Sequence, residues 1–297
     1  MADTIGFIGL GRMGGPMAAN LARKQMPPVL YDARPEAMAP IEALGGKCAR
    51  SAAEVAERAS LVVTMLPGPP EVEAVVLGEL HAKLKPGSLI MDMSTVLPET
   101  TDKLAGAAKA KGLAFVDAPV GRLASHAAKG ESLFMVGASD ADFARVKPLL
   151  EAMGTTIHHC GPPGSGTRTK LINNLLAIVS CQMNAEALTL ARRFGLDVAK
   201  TLEVIHGTTA TNGQLKINYA TKVFKGDTEP GFAIDLAHKD LSLIVESANR
   251  ARVPVPIVAT ARESLSQARA GSYGTKDFSA LLDFWCERAG AEKVRIG

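Results

Sequence analysis

Short, near-continuous apolar runs punctuate the first half of the chain, at 5–9, 28–31, 61–66, 88–93, 113–118 and 133–137. Between them lie Ala-rich and charged stretches such as 51–60 and 98–111. Runs that are apolar throughout, rather than alternating, predict strands buried on both faces, in a largely parallel sheet with helices above and below. The expected fold class is therefore α/β, a doubly wound, mainly parallel Rossmann sheet. The pattern stops near 160, where GPPGSGT at 161–167 is the clearest punctuation in the chain. Helical periodicity follows over 169–194, 198–206, 236–251 and 258–270, with no convincing strand. An all-α domain is expected there. The division predicted is 1–162 for nucleotide binding and 163–297 for substrate and oligomerisation.

Composition narrows the reading. A chain of 297 residues fits two domains of roughly 150 residues. With 47% apolar and 21% charged residues it is globular, not disordered. A net charge of +3 gives no case for nucleic acid or an anionic membrane as partner. Aromatics, at 4%, are too few for base-stacking platforms. The longest uncharged helix-like run, 171–185, falls short of the roughly 20 residues that span a bilayer, and it carries several amides. The N-terminal segment has Asp3 where a signal peptide wants basic residues, and glycines break its apolar run. Cys48, Cys160, Cys181 and Cys286 form no CxxC pair, so reduced thiols in a cytoplasmic protein are expected. His158-His159-Cys160 has no partner at ligand spacing; it reads as a strand end, and no metal site is expected.

The strongest chemical signal is Gly9-Leu10-Gly11-Arg12-Met13-Gly14, between the first predicted strand and a helix. GxGxxG alone is weak, but here the strand, turn and helix it requires are present. Gly9 permits the turn, Gly11 lets backbone approach a pyrophosphate, and Gly14 lets helix and strand pack closely. The helix N-terminus supplies amide donors for the phosphates. Asp32 ends the second run at about the spacing, roughly 20 residues, at which an acid holds the ribose hydroxyls. A carboxylate there repels a 2′-phosphate and favours NAD over NADP, although Arg34 softens that preference. Leu66 and Pro67, and Ser94 and Thr95, end later strands, where the rest of a dinucleotide site forms. Plain turns, and an N-cap for a helix near Pro98, are the competing readings.

The motifs GFIGLGRMGGPM, MDMST, DAPV, GxGxxxKxxNN and FAIDLAHKDL occur in that order across nearly the whole chain. In these the chain resembles the β-hydroxyacid dehydrogenase family. The resemblance implies a Rossmann domain and an all-helical domain with the active site in the cleft between them. It implies reversible NAD(P)-linked oxidation of a 3-hydroxy acid to a semialdehyde, in a homodimer or homotetramer. It marks Lys170 as the catalytic lysine, and Lys239 as a lysine on the cofactor side. The chemistry agrees, because hydride transfer from a carbinol leaves a proton to remove, and a partly desolvated lysine can shuttle it. Asn174, four residues on, shares a helix face with Lys170 and would orient it or the substrate hydroxyl. Asn173 would reach the substrate from the flank.

The family's usual loop DAPVSGG reads Asp117-Ala118-Pro119-Val120-Gly121-Arg122-Leu123 here. A guanidinium replaces a glycine and brings a full charge with up to five donors to the anionic end of a substrate. This variant resembles the 3-sulfolactaldehyde reductase branch, and the resemblance implies that Arg122 and Asn173 contact a sulfonate. That branch carries a serine shortly after the asparagines, where this chain has Ala177. The expected reaction is 3-sulfolactaldehyde with NADH to 2,3-dihydroxypropane-1-sulfonate. Tartronate, glyoxylate or succinic semialdehyde, or 3-hydroxyisobutyrate, remain alternative substrates. A non-catalytic nucleotide sensor or scaffold, and a 6-phosphogluconate-type dehydrogenase with a larger helical domain, are the competing classes.

Overall fold

The computed structural model describes residues 3–296. Met1 and Ala2 of the N-terminal segment, and Gly297 at the end of the second expected domain, lie outside the described residues. The chain divides into two compact units, the first ending at Lys170 and the second beginning at Leu171.

The first unit is built on a nine-stranded sheet. Its strands are β1 (Ile5–Ile8), β2 (Val29–Tyr31), β3 (Lys47–Cys48), β4 (Leu61–Thr64), β5 (Leu89–Asp92), β6 (Ala114–Asp117), β7 (Val120–Gly121), β8 (Ser132–Gly137) and β9 (Gly154–Gly161). They run in the order β3-β2-β1-β4-β5-β6-β8-β7, with β9 on β8. Strands β1 to β6 are mutually parallel; β8 is antiparallel to β6 and β7 and parallel to β9. Alternate residues face opposite cores, as the period of two requires. Leu61, Val63, Leu89 and Met91 enter the core that holds Phe7, Met17 and Leu30. Val62 and Ile90 enter the other, with Ile8, Val29 and Phe115. Both faces are dry, which is why the runs read as apolar without a break. The order turns back between β1 and β4, and the crevice beyond the carboxyl ends of strands at such a switch point is where ligands bind.

The second unit is helical. Among the described residues its only β feature is an isolated bridge, Ala233 with Asp277. The α-helices among the described residues are Val198–His206, Ile234–Arg250, Pro256–Ala270 and Leu281–Arg288, together with most of Ser165–Arg193, which begins in the first unit; a π-helical stretch, Gln214–Tyr219, and two short 3-10 turns join them. The sequence pattern places the start of that long helix at 169; it starts four residues earlier because a residue remote in sequence caps it, as described below. No helix among the described residues is long and apolar enough to cross a membrane.

Candidate active site

At the switch point the glycine loop follows β1. Gly9 has φ +91, and a Cβ there would meet the Met65 carbonyl oxygen at 2.2 Å. A Cβ on Gly14 would meet the Gly9 carbonyl oxygen at 1.9 Å. Both glycines are therefore required by packing, of the loop against the end of β4 and of the helix Gly14–Arg23 against β1. Gly11 differs, since a Cβ there would meet nothing within 4 Å. The space beside Gly11 is open, so a pyrophosphate can approach the backbone there. The N-cap of the helix, Met13, supplies no side-chain acceptor to its first amides, so these suit phosphate oxygens. Arg12 is exposed beside them. The residues present thus fit a dinucleotide.

Asp32 lies just past β2. Its Oδ2 accepts the Leu10 N–H at 2.7 Å and its Oδ1 accepts the Arg34 N–H at 2.9 Å. The Arg34 guanidinium pairs with the same Oδ1 at 3.4 Å. Asp32 therefore fixes the glycine loop.

The loops after β4 and β5 are joined through Ser94. Its Oγ accepts the Leu66 N–H at 2.9 Å, and its own N–H donates to Asp92 Oδ1 at 3.1 Å. Thr64 Oγ1 donates to the same carboxylate oxygen at 2.8 Å. Ser94 is buried and does not cap the following helix, Pro98–Ala110, whose N-cap Leu97 makes no side-chain bond. Thr95 is half-buried beside it, and Pro67 is exposed at the loop tip. Asp92, missed by sequence reasoning, is the hub of this network. The available signal is a carboxylate inside the apolar run SLIMDM. Burial pushes the Asp92 carboxyl above its ordinary 3.8, against the pull of its Ser94 and Thr64 bonds. Above 3.8 the unfolded chain has lost a proton that the folded chain still holds, so this group's contribution falls as pH rises through the window up to its raised value. Asp92→Asn removes that loss. The melting temperature of the variant relative to the parent is expected to rise as pH rises above about 4. A difference flat in pH across thermal melts would show that Asp92 does not titrate there.

Beyond β6, Gly121 is buried in β7; Leu123 is half-buried as N-cap of the short helix Ala124–Ala128. Arg122 has φ +70, a left-handed conformation that glycine adopts freely and arginine does not. Its Nη1 donates to the Glu131 carbonyl at 2.6 Å and to Thr155 Oγ1 at 3.1 Å; its Nη2 donates to Thr156 Oγ1 at 3.0 Å. All three acceptors are neutral, and among the described residues no ion pair of Arg122 with a carboxylate occurs within 4.0 Å. Lys170 is half-buried on the long helix, and its Nζ donates to the Val120 carbonyl at 2.7 Å. The first unit thus brings Lys170 to the Gly121–Leu123 loop.

The second unit carries its own cluster. Asn173 Nδ2 donates to Asn174 Oδ1 at 3.0 Å, and Asn174 Nδ2 donates to Asp240 Oδ2 at 2.6 Å. Lys239 Nζ pairs with Asp240 Oδ1 at 3.0 Å. Asn174 and Asp240 are buried, and Asn173 is exposed. Asp240 links both predicted residues, and the available signal is its place beside Lys239 in the last motif. His158, His159 and Cys160 lie in β9, and no cluster of His, Cys, Asp or Glu suited to a metal occurs among the described residues.

A mainly parallel sheet with a glycine loop at its switch point defines a dinucleotide-binding protein. Comparison with known proteins narrows the class. The family described as the NAD binding domain of 6-phosphogluconate dehydrogenase matches residues 4–161. The family described as NAD-binding of NADP-dependent 3-hydroxyisobutyrate dehydrogenase matches residues 164–285. The chain is 40% identical to 3-sulfolactaldehyde reductase of Escherichia coli K12, over 94% of each chain. It is 36% identical to 2-(hydroxymethyl)glutarate dehydrogenase of Eubacterium barkeri, over 96% of each. The structure of Mycobacterium tuberculosis 3-hydroxyisobutyrate dehydrogenase superposes with a TM-score of 0.88 at 32% identity, covering 96% of this chain and 99% of that one. The chain belongs to the 3-hydroxyisobutyrate dehydrogenase-like family of β-hydroxyacid dehydrogenases. It is a nicotinamide-dependent oxidoreductase, which sets aside the sensor reading.

Proposed function

We propose that the chain reduces 3-sulfolactaldehyde with NADH to 2,3-dihydroxypropane-1-sulfonate. The observation that carries this is Arg122, whose guanidinium stands in the substrate loop with only neutral acceptors. A sulfonate adds a full opposite charge to its acceptor oxygens, which the threonine hydroxyls lack, so it displaces them from the guanidinium. The relative named 3-sulfolactaldehyde reductase supports the same reading.

In this scheme residues 1–162 serve the nucleotide and 163–297 the substrate and self-association. Bound NADH supplies the hydride, from nicotinamide C4 to the aldehyde carbon. Lys170 gives a proton to the aldehyde oxygen, and takes it back in the oxidative direction. Asn174 holds that oxygen. Ser94 and Asn173 position the substrate, Gly121 gives the loop room, Leu123 lines it and Arg122 neutralises the sulfonate. Gly9, Leu10, Gly11, Arg12, Met13 and Gly14 hold the pyrophosphate, Leu66, Pro67 and Thr95 flank the dinucleotide, and Lys239 is assigned to cofactor binding. The Asp32 carboxylate favours NAD, and Arg34 beside it leaves NADP as the alternative.

A carboxylate semialdehyde is the second reading. It is favoured by Ala177, which brings no hydroxyl to a bulkier three-oxygen head group. The test is the rate of NADH loss with sulfolactaldehyde, tartronate semialdehyde, succinic semialdehyde and a neutral aldehyde, repeated with NADPH. Sulfolactaldehyde is expected to give the highest kcat/KM. Preference for a carboxylate moves the assignment to the second reading, and preference for NADPH overturns the role given to Asp32. Arg122→Ala is expected to raise KM for the anionic aldehyde by about 10- to 100-fold, the cost of 1.5–3 kcal/mol for a bond to a charged group. Equal effects on anionic and neutral aldehydes would sink the role of Arg122.

We propose further that copies associate through the second unit. Ile172, Leu176, Met183 and Leu190 recur at spacings of four and seven along one helix, each more than half exposed, with Phe194 following. Five such side chains present roughly 500 Å² of apolar surface, against about 800 Å² buried per partner in a standard interface. A groove lined by Val179, Pro256 and Ala261 adjoins Met183. A second copy, presenting the same stripe and groove in a two-fold pairing, covers both. Sedimentation at monomer mass would refute this. A cytoplasmic location is the corresponding proposal for the cell, refuted if fractionation recovers the protein elsewhere.

A further inference from the structure

The long helix Ser165–Arg193 begins without a side-chain cap of its own, because the residue before it is Gly164, with φ +93. Helix N-termini need an acceptor for their first amides. Here it arrives from the sheet. Asp117, the last residue of β6, is buried, and its Oδ1 accepts the Gly164 N–H while its Oδ2 accepts the Thr167 N–H, each at 2.6 Å. The carboxylate also complements the positive end of the helix.

The fit is closed on every side. A Cβ on Gly166 would meet the Met135 carbonyl oxygen at 2.2 Å and that of Asp117 at 2.8 Å, so the first turn lies directly on the sheet backbone. A Cβ on Gly137 would meet Asp117 Oδ1 at 2.3 Å. Thr167 Oγ1 bonds Thr101 Oγ1 at 3.0 Å, which ties the same turn to the helix Pro98–Ala110. Thr167 and Lys170 are three residues apart, on one helix face. Three residues beyond Asp117, the Val120 carbonyl accepts Lys170 Nζ. One short stretch, 117–120, therefore grips the helix twice, once at its backbone and once at the lysine.

We propose that Asp117 is the positioning residue for Lys170: by fixing the first helical turn to the end of β6 it sets where the lysine nitrogen stands. This rests on the reading of Lys170 as the proton donor. Burial pushes the Asp117 carboxyl up, opposed by the Gly164 and Thr167 bonds, so the group is held by geometry at a cost in solvation. Positioning errors of an ångström reduce turnover by about 10²-fold.

Asp117→Asn keeps the shape but turns an N–H₂ toward one of the two amides. The variant is expected to lose about 10- to 100-fold in kcat, with the Kd for NADH unchanged. Its solvent deuterium isotope effect on kcat is expected to rise, because proton transfer becomes limiting. A merely structural cap would lower the melting temperature and leave kcat and the isotope effect alone; that result overturns the proposal. Should Asp117→Asn fail to fold, Asp117→Ser, which leaves at most one acceptor for the two amides, is measured the same way. An unchanged kcat there likewise overturns the proposal. Lys170→Ala is run in parallel. If it turns over normally, the reading of Lys170 has failed; if it is inactive while Asp117→Asn matches the parent, only the inference has failed.

Discussion

Lys170→Ala is expected to lower kcat by about 10²- to 10⁴-fold, the range general acid–base catalysis spans, with NADH affinity unchanged. The two effects separate because different elements carry them. The dinucleotide cradle is the loop 9–14, closed by the contacts of Gly9 and Gly14 and tied to Asp32 through the Leu10 N–H. Lys170 lies on another element and bonds the Val120 carbonyl. Lys170→Arg sharpens the test. Arginine keeps the charge but does not release its proton at any working pH. It is expected to be as inactive as the alanine variant if the lysine transfers a proton. Arginine activity near that of the parent would mean the charge alone matters, and parent turnover in the alanine variant would remove Lys170 from the mechanism. The measurement is steady-state NADH oxidation, with binding followed by NADH fluorescence.

What the sequence makes legible, and what it hides, follows from which forces are local. β1, β2, β4, β5, β6 and β8 are legible because a sheet covered on both faces makes each strand an unbroken apolar run. β3 and β7 have two residues each, too short for any period. β9, GTTIHHCG, pairs only with β8 and keeps exposed positions, so its polar residues hide it. That β8 runs antiparallel to β6 is invisible, since LFMVG reads the same in either direction. The glycine loop is legible because strand, turn and helix are contiguous. The helix start at Ser165 is not, because its cap, Asp117, stands 47 residues from Gly164. Arg122 is legible as a departure from the family's loop, whereas its grip on Thr155 and Thr156 depends on β9 packing beside β8. The same limit hides Asp92, Asp117 and Asp240. A buried carboxylate looks in sequence like any surface acid, except that two of these interrupt apolar runs.

Asp240→Asn is expected to lower kcat/KM by about 10²-fold, the cost of a misplaced positioning group, more than Lys239→Met. A carboxylate is acceptor-only. Facing Asp240 Oδ2, Asn174 must therefore present Nδ2 inward, and its Oδ1 is left pointing at Asn173. Asp240 thus sets the polarity of the Asn173–Asn174 pair and, in the role proposed for Asn174, whether the substrate oxygen meets a donor or an acceptor. An amide at 240 has a single acceptor oxygen for two claimants, Asn174 and Lys239. Either the lysine loses its partner or Asn174 is free to flip. Breaking a fully buried ion pair costs about 3–5 kcal/mol; Lys239 is 29% exposed at its side chain, so solvent screening leaves it nearer the weak end. The larger share of the loss then runs through Asn174, which Lys239→Met leaves in place. Equal losses in the two variants would shift the role to the ion pair. Parent activity in Asp240→Asn would show that the orientation of Asn174 does not govern the reaction.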